Sequence, residues 1–92
     1  MNNEVIDHPD YYRLPDGRDL EDFIFERNLS FPVGSALKYK WRAGKKHGES
    51  ADKDLAKAAH YVKFLAERWS VDYGVVERMV DALVREAAGG RG

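Results

Sequence analysis

The sequence predicts an all-α fold, a small bundle of about four helices. Apolar residues recur at spacings of three and four in four separate segments, and no segment shows the two-residue alternation of a strand. Residues able to cap a helix stand near the start of these segments. A chain of 92 residues suits one domain, so we expect a single helical domain over residues 1–92. Because small cores are often completed by self-association, we also expect a homo-oligomer.

The first two helices follow an irregular stretch over residues 1–17. The first is predicted to begin near Asp19 and to end near Asn28, with acidic residues in its first turn, where the helix dipole favours them. The second is predicted over residues 31–46, after a cap at Ser30 and with Gly44 as the residue that follows its last turn. Its last part is strongly basic, which makes this helix the first candidate for binding an anion.

The last two helices carry the longest apolar stripes. Ser50 is expected to cap the third, whose stripe runs from Leu55 to Trp69. Ser70 is expected to cap the fourth, over about residues 71–88. Its continuous stripe favours a role in the core or in self-association over one in docking a partner.

Several classes of protein and site are disfavoured. No segment approaches the roughly 20 apolar residues that a membrane span needs, and the first residues lack the pattern of a signal peptide. Cysteine is absent, which excludes disulfides and thiolate metal sites and fits a cytoplasmic location. Neither a GxxxxGK[ST] loop nor a GxGxxG turn is present. The residues alone therefore indicate no catalytic centre and no metal site, with Asp19 and Asp22 kept as candidate ligands.

Charge is distributed unevenly along a chain of net charge −1. Acids outnumber bases in residues 1–30, whereas residues 27–48 contain no acid. Within this acid-free window, Lys38, Arg42 and Lys45 form one row of the second helix. Such a field attracts phosphate or carboxylate. The alternative is a solvated helix face, with Lys45 and the following lysine only compensating the helix dipole.

Two further features bear on ligand binding. If Lys57 of the third helix faces the same groove as Lys38 and Arg42, several cations converge, which is costly without an anion. Tyr11 and Tyr12 stand in a proline-containing loop, where they can stack on a base or simply pack. The candidate phosphate ligands are Lys38, Arg42, Lys45, Lys46 and Lys57, and the candidate pocket or base-stacking residues are His8, Tyr11 and Tyr12. Tyr39 and Trp41 are interpreted as packing residues.

Four motifs carry a resemblance to a known family. They are HPxxY at residues 8–12, GxD at residues 17–19, FPVGSALKYKWRAGKK at residues 31–46 and DLxKAxxY at residues 54–61. Over residues 7–66 the chain resembles the family called domain of unknown function 3310, which occurs in tailed phages and prophages. The candidates that match its pattern are His8, Tyr12, Lys38, Tyr39, Arg42, Lys45, Lys46, Asp54 and Lys57. The fourth helix lies outside this family-like core.

The resemblance implies nucleotide handling, because one larger member of the family is a nucleotide kinase without a phosphate loop. Tyr11 stands where the family pattern has a histidine, Asp19 where it has a glutamate, and Ser35 where it has an asparagine. The first two differences remove or shorten groups that can act as acid, base or metal ligand. They therefore favour binding over catalysis.

Three hypotheses follow. The first is a phage-type protein that binds a linear or cyclic nucleotide without a cofactor and sequesters a nucleotide immune signal in the host cytoplasm. The second is a nucleoside monophosphate kinase, in which Asp19 and Asp22, with His8, position Mg²⁺ or the acceptor. The third is an inhibitor that docks on a host protein. Binding to DNA is disfavoured, because the first helix is acidic and no recognition motif is present.

Overall fold

The computed structural model describes residues 10–45 and 50–89 and confirms the all-α fold. Within these residues the four helices are α1 (Leu20–Glu26), α2 (Phe31–Arg42), α3 (Ala51–Trp69) and α4 (Tyr73–Ala87), preceded by a short 3-10 turn at Asp10–Tyr12. In the described residues, the only extended pairing is an isolated bridge between Arg13 and Asp19. No helix in these two ranges has the length and apolar content that crossing a membrane requires.

The capping residues of α1 and α2 explain where these helices begin. Asp19 and Asp22 cap the start of α1 reciprocally, with the Asp19 backbone N–H donating to the Asp22 carboxylate at 3.0 Å. The Ser30 hydroxyl accepts from the Val33 N–H at 3.4 Å, which confirms the predicted cap of α2.

The end of α2 confirms Gly44 as the residue that terminates the helix and corrects the predicted range of 31–46, which is too long. The helix ends at Arg42, since Ala43 leaves the helical region (φ −55°, ψ 123°) and Gly44 adopts a φ of +81°. A glycine with positive φ is the common terminator of a helix. The helical spacing of Lys45 with Arg42 and Lys38 therefore does not correspond to a continuous helix.

The corner between α3 and α4 corrects a second boundary. Ser50 caps α3 as predicted, its hydroxyl accepting from the Asp52 N–H at 3.0 Å. Ser70, however, ends α3 in the left-handed region with a φ of +57°, and Asp72 is the residue that precedes α4. The chain must reverse within three residues, and the left-handed residue at Ser70 allows it to do so.

Two clusters of buried side chains form the core. One lies between α2, α3 and α4, and its buried members are Val33, Ala36, Val62, Leu65, Ala66, Val76 and Val80. The other joins α1 and the loop before it to α2 and the end of α4, with buried Leu14, Leu20, Phe23, Leu37, Trp41 and Ala87. Leu83 packs against both clusters. The fourth helix is therefore a core element, as its apolar stripe predicts.

The apolar stripe predicted for α3 is not buried at either end of the helix. Leu55 is 45% exposed and Trp69 47% exposed, whereas Asp54 is only 1% exposed. Asp54 faces inward because it pairs with Arg42 of α2 (described below), and Leu55 consequently faces outward. The stripe is shorter at both ends than its residue spacing indicates.

A partly buried lysine joins α2 to α4. The Lys40 ammonium donates to the Asp81 carboxylate at 2.8 Å and to the Glu77 carboxylate at 3.2 Å. Burial alone lowers the pKa of Lys40, but the hydrogen bonds and charges of Asp81 and Glu77 outweigh it, so its pKa is raised. This lysine belongs to the basic window of the sequence but serves the packing of the helices.

Candidate anion-binding site

Three cations surround the ring of Tyr39, where α2 lies against α3. The ring centroid is 5.1 Å from the Arg42 guanidinium carbon, 5.3 Å from the Lys57 ammonium and 5.7 Å from the Lys38 ammonium. These distances lie within the range of cation–π contacts. Lys57 thus faces the same surface as Lys38 and Arg42. From the sequence alone, the convergence of these cations depended on that position of Lys57. We call these four residues the Tyr39 cluster.

A row of aromatic rings supports Tyr39. Its ring stacks on that of Tyr61, with centroids 6.2 Å apart and planes within 8° of each other. The Tyr61 ring in turn makes T-shaped contacts with the rings of Phe31 and His60, at centroid distances of 5.7 Å and 5.0 Å. Tyr61 also packs against the first core cluster. The cations are therefore arranged around a ring that the core holds in place.

Arg42 has a structural partner, the buried carboxylate of Asp54. Its Nη2 donates to Asp54 Oδ1 at 2.6 Å and its Nε donates to the same oxygen at 3.1 Å. The side chain of Arg42 is 13% exposed. Hydrogen bonding to Asp54, opposed in part by burial, raises the pKa of Arg42. The guanidinium is thereby fixed and permanently charged, and Asp54 compensates part of its charge.

Tyr12 lies on the other side of the guanidinium. Arg42 Nη1 donates to the Tyr12 hydroxyl at 3.4 Å. Burial raises the pKa of Tyr12, so this hydroxyl stays neutral. The ring packs against the second core cluster. Of the two alternatives for Tyr12, the geometry described here is that of a packing residue that also orients Arg42.

Lys38 and Lys57 differ from Arg42 in exposure and pairing. Both are exposed, and within the described residues no carboxylate forms a salt bridge with either. The Tyr39 cluster and Asp54 together hold three cations and one carboxylate. The surface of the cluster is consequently positive, which favours a bound anion.

Lys45 lies over a different ring. Its ammonium donates to the Trp41 carbonyl oxygen at 2.8 Å and is 4.6 Å from the Trp41 ring centroid. This position compensates the negative end of α2, in agreement with the dipole alternative for this lysine. Lys46 and His8, two other candidates, lie outside the described residues.

Tyr11 and Trp41 tie the 3-10 turn to α2. Trp41 Nε1 donates to the Tyr11 carbonyl oxygen at 2.5 Å, and Trp41 is buried, as its interpretation as a packing residue predicts. The Tyr11 and Tyr12 rings are tilted by 55°, with centroids 4.6 Å apart. Stacking of a base on Tyr11 stays a prediction.

The two candidate metal ligands have another role. Asp19 and Asp22 form the reciprocal cap of α1. In residues 10–45 and 50–89, no group of three His, Asp or Glu side chains has the geometry to hold a metal ion.

Two residues of the site were not among the predicted ligands of phosphate. The sequence predicts a packing role for Tyr39, and only the family resemblance points to Asp54. The sequence did contain a signal for Asp54: it precedes Ala58 by four residues and Val62 by eight, so it shares their buried face. An acid on a buried helical face requires a cationic partner.

Comparison with known proteins gives one match. The model of the family DUF3310, described as a protein of unknown function, matches residues 3–63. The matched segment includes all four residues of the Tyr39 cluster, and also Asp54, Tyr12 and Tyr61. No curated protein and no solved structure matches the chain.

Proposed function

The chain belongs to the DUF3310 family, and we propose that it binds the phosphate group of a nucleotide at the Tyr39 cluster. The observation that carries this proposal is the convergence of Lys38, Arg42 and Lys57 on one ring, at 5.1 to 5.7 Å. Like charges gathered around one ring repel one another, and a phosphate placed among them relieves that repulsion.

The three cations can contribute to phosphate binding in different ways. Arg42 is fixed by Asp54, so it offers a preoriented charge and loses little conformational entropy when a ligand binds. Lys38 and Lys57 are exposed point charges that can move onto phosphate oxygens. This division of roles supports a phosphorylated ligand over a single carboxylate, because a phosphate has enough oxygens to satisfy several donors.

Support for a nucleotide comes from the nucleotide handling that the family resemblance implies, and from the aromatic row beside the cations. Sequestration of a nucleotide signal is a role that such a site can fulfil by binding alone. We therefore propose a nucleotide-binding protein of phage type that acts by sequestering a linear or cyclic nucleotide of the host's immune response.

Titration calorimetry tests this proposal. The ligands are the four ribonucleoside 5′-monophosphates and the cyclic dinucleotides of adenosine and guanosine. At least one is expected to bind the native protein, and Lys38→Ala or Lys57→Ala is expected to weaken that binding about tenfold, because each removes a charged contact to phosphate. Lys63→Ala, an exposed lysine of α3, is the control and should bind like the native protein. Equal affinities for all four proteins contradict the assigned site.

The kinase hypothesis stays a prediction with its own assay. It needs Asp19 and Asp22 as ligands of Mg²⁺, but these two residues cap α1, so the geometry favours binding. Formation of a nucleoside diphosphate from a monophosphate, ATP and Mg²⁺ supports the kinase. Absence of turnover with all four monophosphates at saturating ATP contradicts it.

We also propose that the chain forms a homo-oligomer through the corner between α3 and α4. Four large hydrophobic residues there are 40 to 47% exposed: Trp69, Val71, Tyr73 and Val75. Exposed apolar residues that are contiguous along a surface are typical of protein interfaces. Under the third hypothesis the fourth helix, which contributes Tyr73 and Val75 to this surface, would instead dock on a host protein.

Light scattering across a range of protein concentrations tests this self-association. Trp69→Lys is expected to shift the protein to the monomer, because burying a lysine at an interface is costly. Leu55→Lys introduces the same charge at a residue of similar exposure at the other end of α3 and should leave the oligomer intact. A native protein that is monomeric at all concentrations contradicts the proposal.

A further inference from the structure

An open groove of about 460 Å³ lies between the end of α1 and the first turns of α2. Its lining includes Ile24, Phe25, Asn28, Phe31, Ser35 and Lys38. Gly34 lies at its floor, where a Cβ atom would come within 3.1 Å of the Ile24 side chain. A glycine at this position therefore lets α1 approach α2 closely.

Two phenylalanine side chains that line this groove are largely exposed to solvent. Phe25 is 84% exposed and Phe31 is 76% exposed. Phe31 is nevertheless held in place, because its ring makes a T-shaped contact with that of Tyr61, with centroids 5.7 Å apart. Exposed aromatic rings at a groove are typical platforms for stacking nucleotide bases.

Lys38 connects the groove to the Tyr39 cluster. Its side chain lines the groove, and its ammonium is 5.7 Å from the Tyr39 ring centroid. The aromatic row makes the same connection, since Phe31 contacts Tyr61 and Tyr61 stacks on Tyr39. One molecule can therefore contact both the groove and the cations if it has a flat apolar part and an anionic part.

We propose that the base of the bound nucleotide lies in this groove, against Phe25 and Phe31, while its phosphate lies at the Tyr39 cluster. This proposal rests on the proposed function and adds a base-recognition site to it. Asn28 and Ser35 both line the groove, and an amide and a hydroxyl are suitable donors and acceptors for the edge of a base. Lys38 is the residue shared by the two parts of the ligand.

The composition of the groove favours a nucleotide over a protein or a purely apolar ligand. Its volume of about 460 Å³ is in the range of small-molecule sites, and aromatic walls with a few polar groups are typical of such sites. A protein partner would need a surface of roughly 800 Å² on each side. An aliphatic ligand would leave Asn28, Ser35 and Lys38 without a function in the groove.

The experiment separates the base from the phosphate. Calorimetry measures the affinity of the native protein, Phe25→Ala and Phe31→Ala for the panel of nucleotides given above and for ribose 5-phosphate, which has no base. Both phenylalanines are exposed, so their replacement is expected to leave the fold intact. Phe64→Ala, at a 40% exposed phenylalanine beside Arg68 of α3, is the matched control.

The expected result has two parts. The native protein binds at least one nucleotide about tenfold or more tightly than ribose 5-phosphate. Phe25→Ala and Phe31→Ala each lose about tenfold in affinity for that nucleotide, whereas Phe64→Ala does not, and all four proteins bind ribose 5-phosphate equally.

The experiment distinguishes a failure of this inference from a failure of the proposed function. If a nucleotide binds and the lysine variants weaken it, but the phenylalanine variants bind like the native protein, the base lies elsewhere and this inference alone is wrong. If a nucleotide and ribose 5-phosphate bind equally, the inference is also wrong while phosphate binding stands. If no nucleotide of the panel binds, the proposed function fails and this inference with it.

Discussion

At the scale of single residues, the pairing of Arg42 with Asp54 is the feature that builds the site. It joins α2 to α3 by two hydrogen bonds to one carboxylate oxygen, and it places a permanent charge beside the Tyr39 ring. Asp54 is almost fully buried, so the two residues depend on each other: either one alone would be a charge held away from water.

Replacing Asp54 by alanine is expected to lower the free energy of unfolding by about 3 kcal/mol, because Arg42 then keeps a poorly solvated charge. The double variant Arg42→Met/Asp54→Leu is expected to recover a large part of this loss. Urea unfolding measures both. Asp52→Ala removes an exposed acid from the same first turn of α3 and should cost less than about 1 kcal/mol. Equal losses for Asp54→Ala and Asp52→Ala contradict the structural role of the pair.

At the scale of the helices, α2 is the central element, since it packs against α3 and α4 and contributes to both core clusters. The basic residues of α2 and of the turn that follows it divide into three roles. Lys40 pairs with α4, Lys45 compensates the helix end, and Lys38 with Arg42 forms the site. These cations are close together in the sequence, but their side chains point in different directions and therefore have different partners.

Lys40→Met is expected to lower the free energy of unfolding by about 1 to 2 kcal/mol near neutral pH, since the Lys40 side chain is largely buried while Glu77 and Asp81 remain partly hydrated. The pKa of Lys40 is raised above its ordinary value of 10.5 in the folded protein. The stabilisation is therefore fully present below that ordinary value and is lost as the pH rises through the higher folded value.

Urea unfolding of both proteins at about pH 8 and about pH 11.5 checks this dependence. The difference between the native protein and Lys40→Met should shrink at the higher pH. Lys63→Met, at an exposed lysine of α3, should differ little from the native protein at either pH. A difference for Lys40→Met that grows with pH contradicts the assigned pairing.

At the scale of the whole molecule, local signals predicted the helices and their caps, but tertiary contacts decided the rest. Ser30 and Ser50 could be predicted because a hydroxyl satisfies nearby backbone donors. Ser70 was assigned to the wrong helix because both Ser70 and Asp72 can cap, and only the reversal of the chain decides between them. The inward position of Asp54 depends on Arg42, which is 12 residues away.

The candidate site was likewise predicted only in part, because some of its features depend on tertiary contacts. The basic window predicted an anion site near Lys38 and Arg42, but the approach of Lys57 to the same ring depends on how α3 packs against α2. The groove beside Lys38 could not be predicted, because it lies between α1 and α2 and therefore depends on how these two helices are placed in the fold. Helical periodicity predicts only that Phe25 lies off the buried face of α1.

The affinity of Lys38→Ala/Lys57→Ala for the best-bound nucleotide of the panel is the most direct test of phosphate binding at the Tyr39 cluster. Both lysines are exposed, so the unfolding midpoint of this double variant should match that of the native protein. Binding is expected to weaken about 100-fold, because two charged contacts to phosphate are lost together. A double variant that folds normally and binds within about twofold of the native protein contradicts the account.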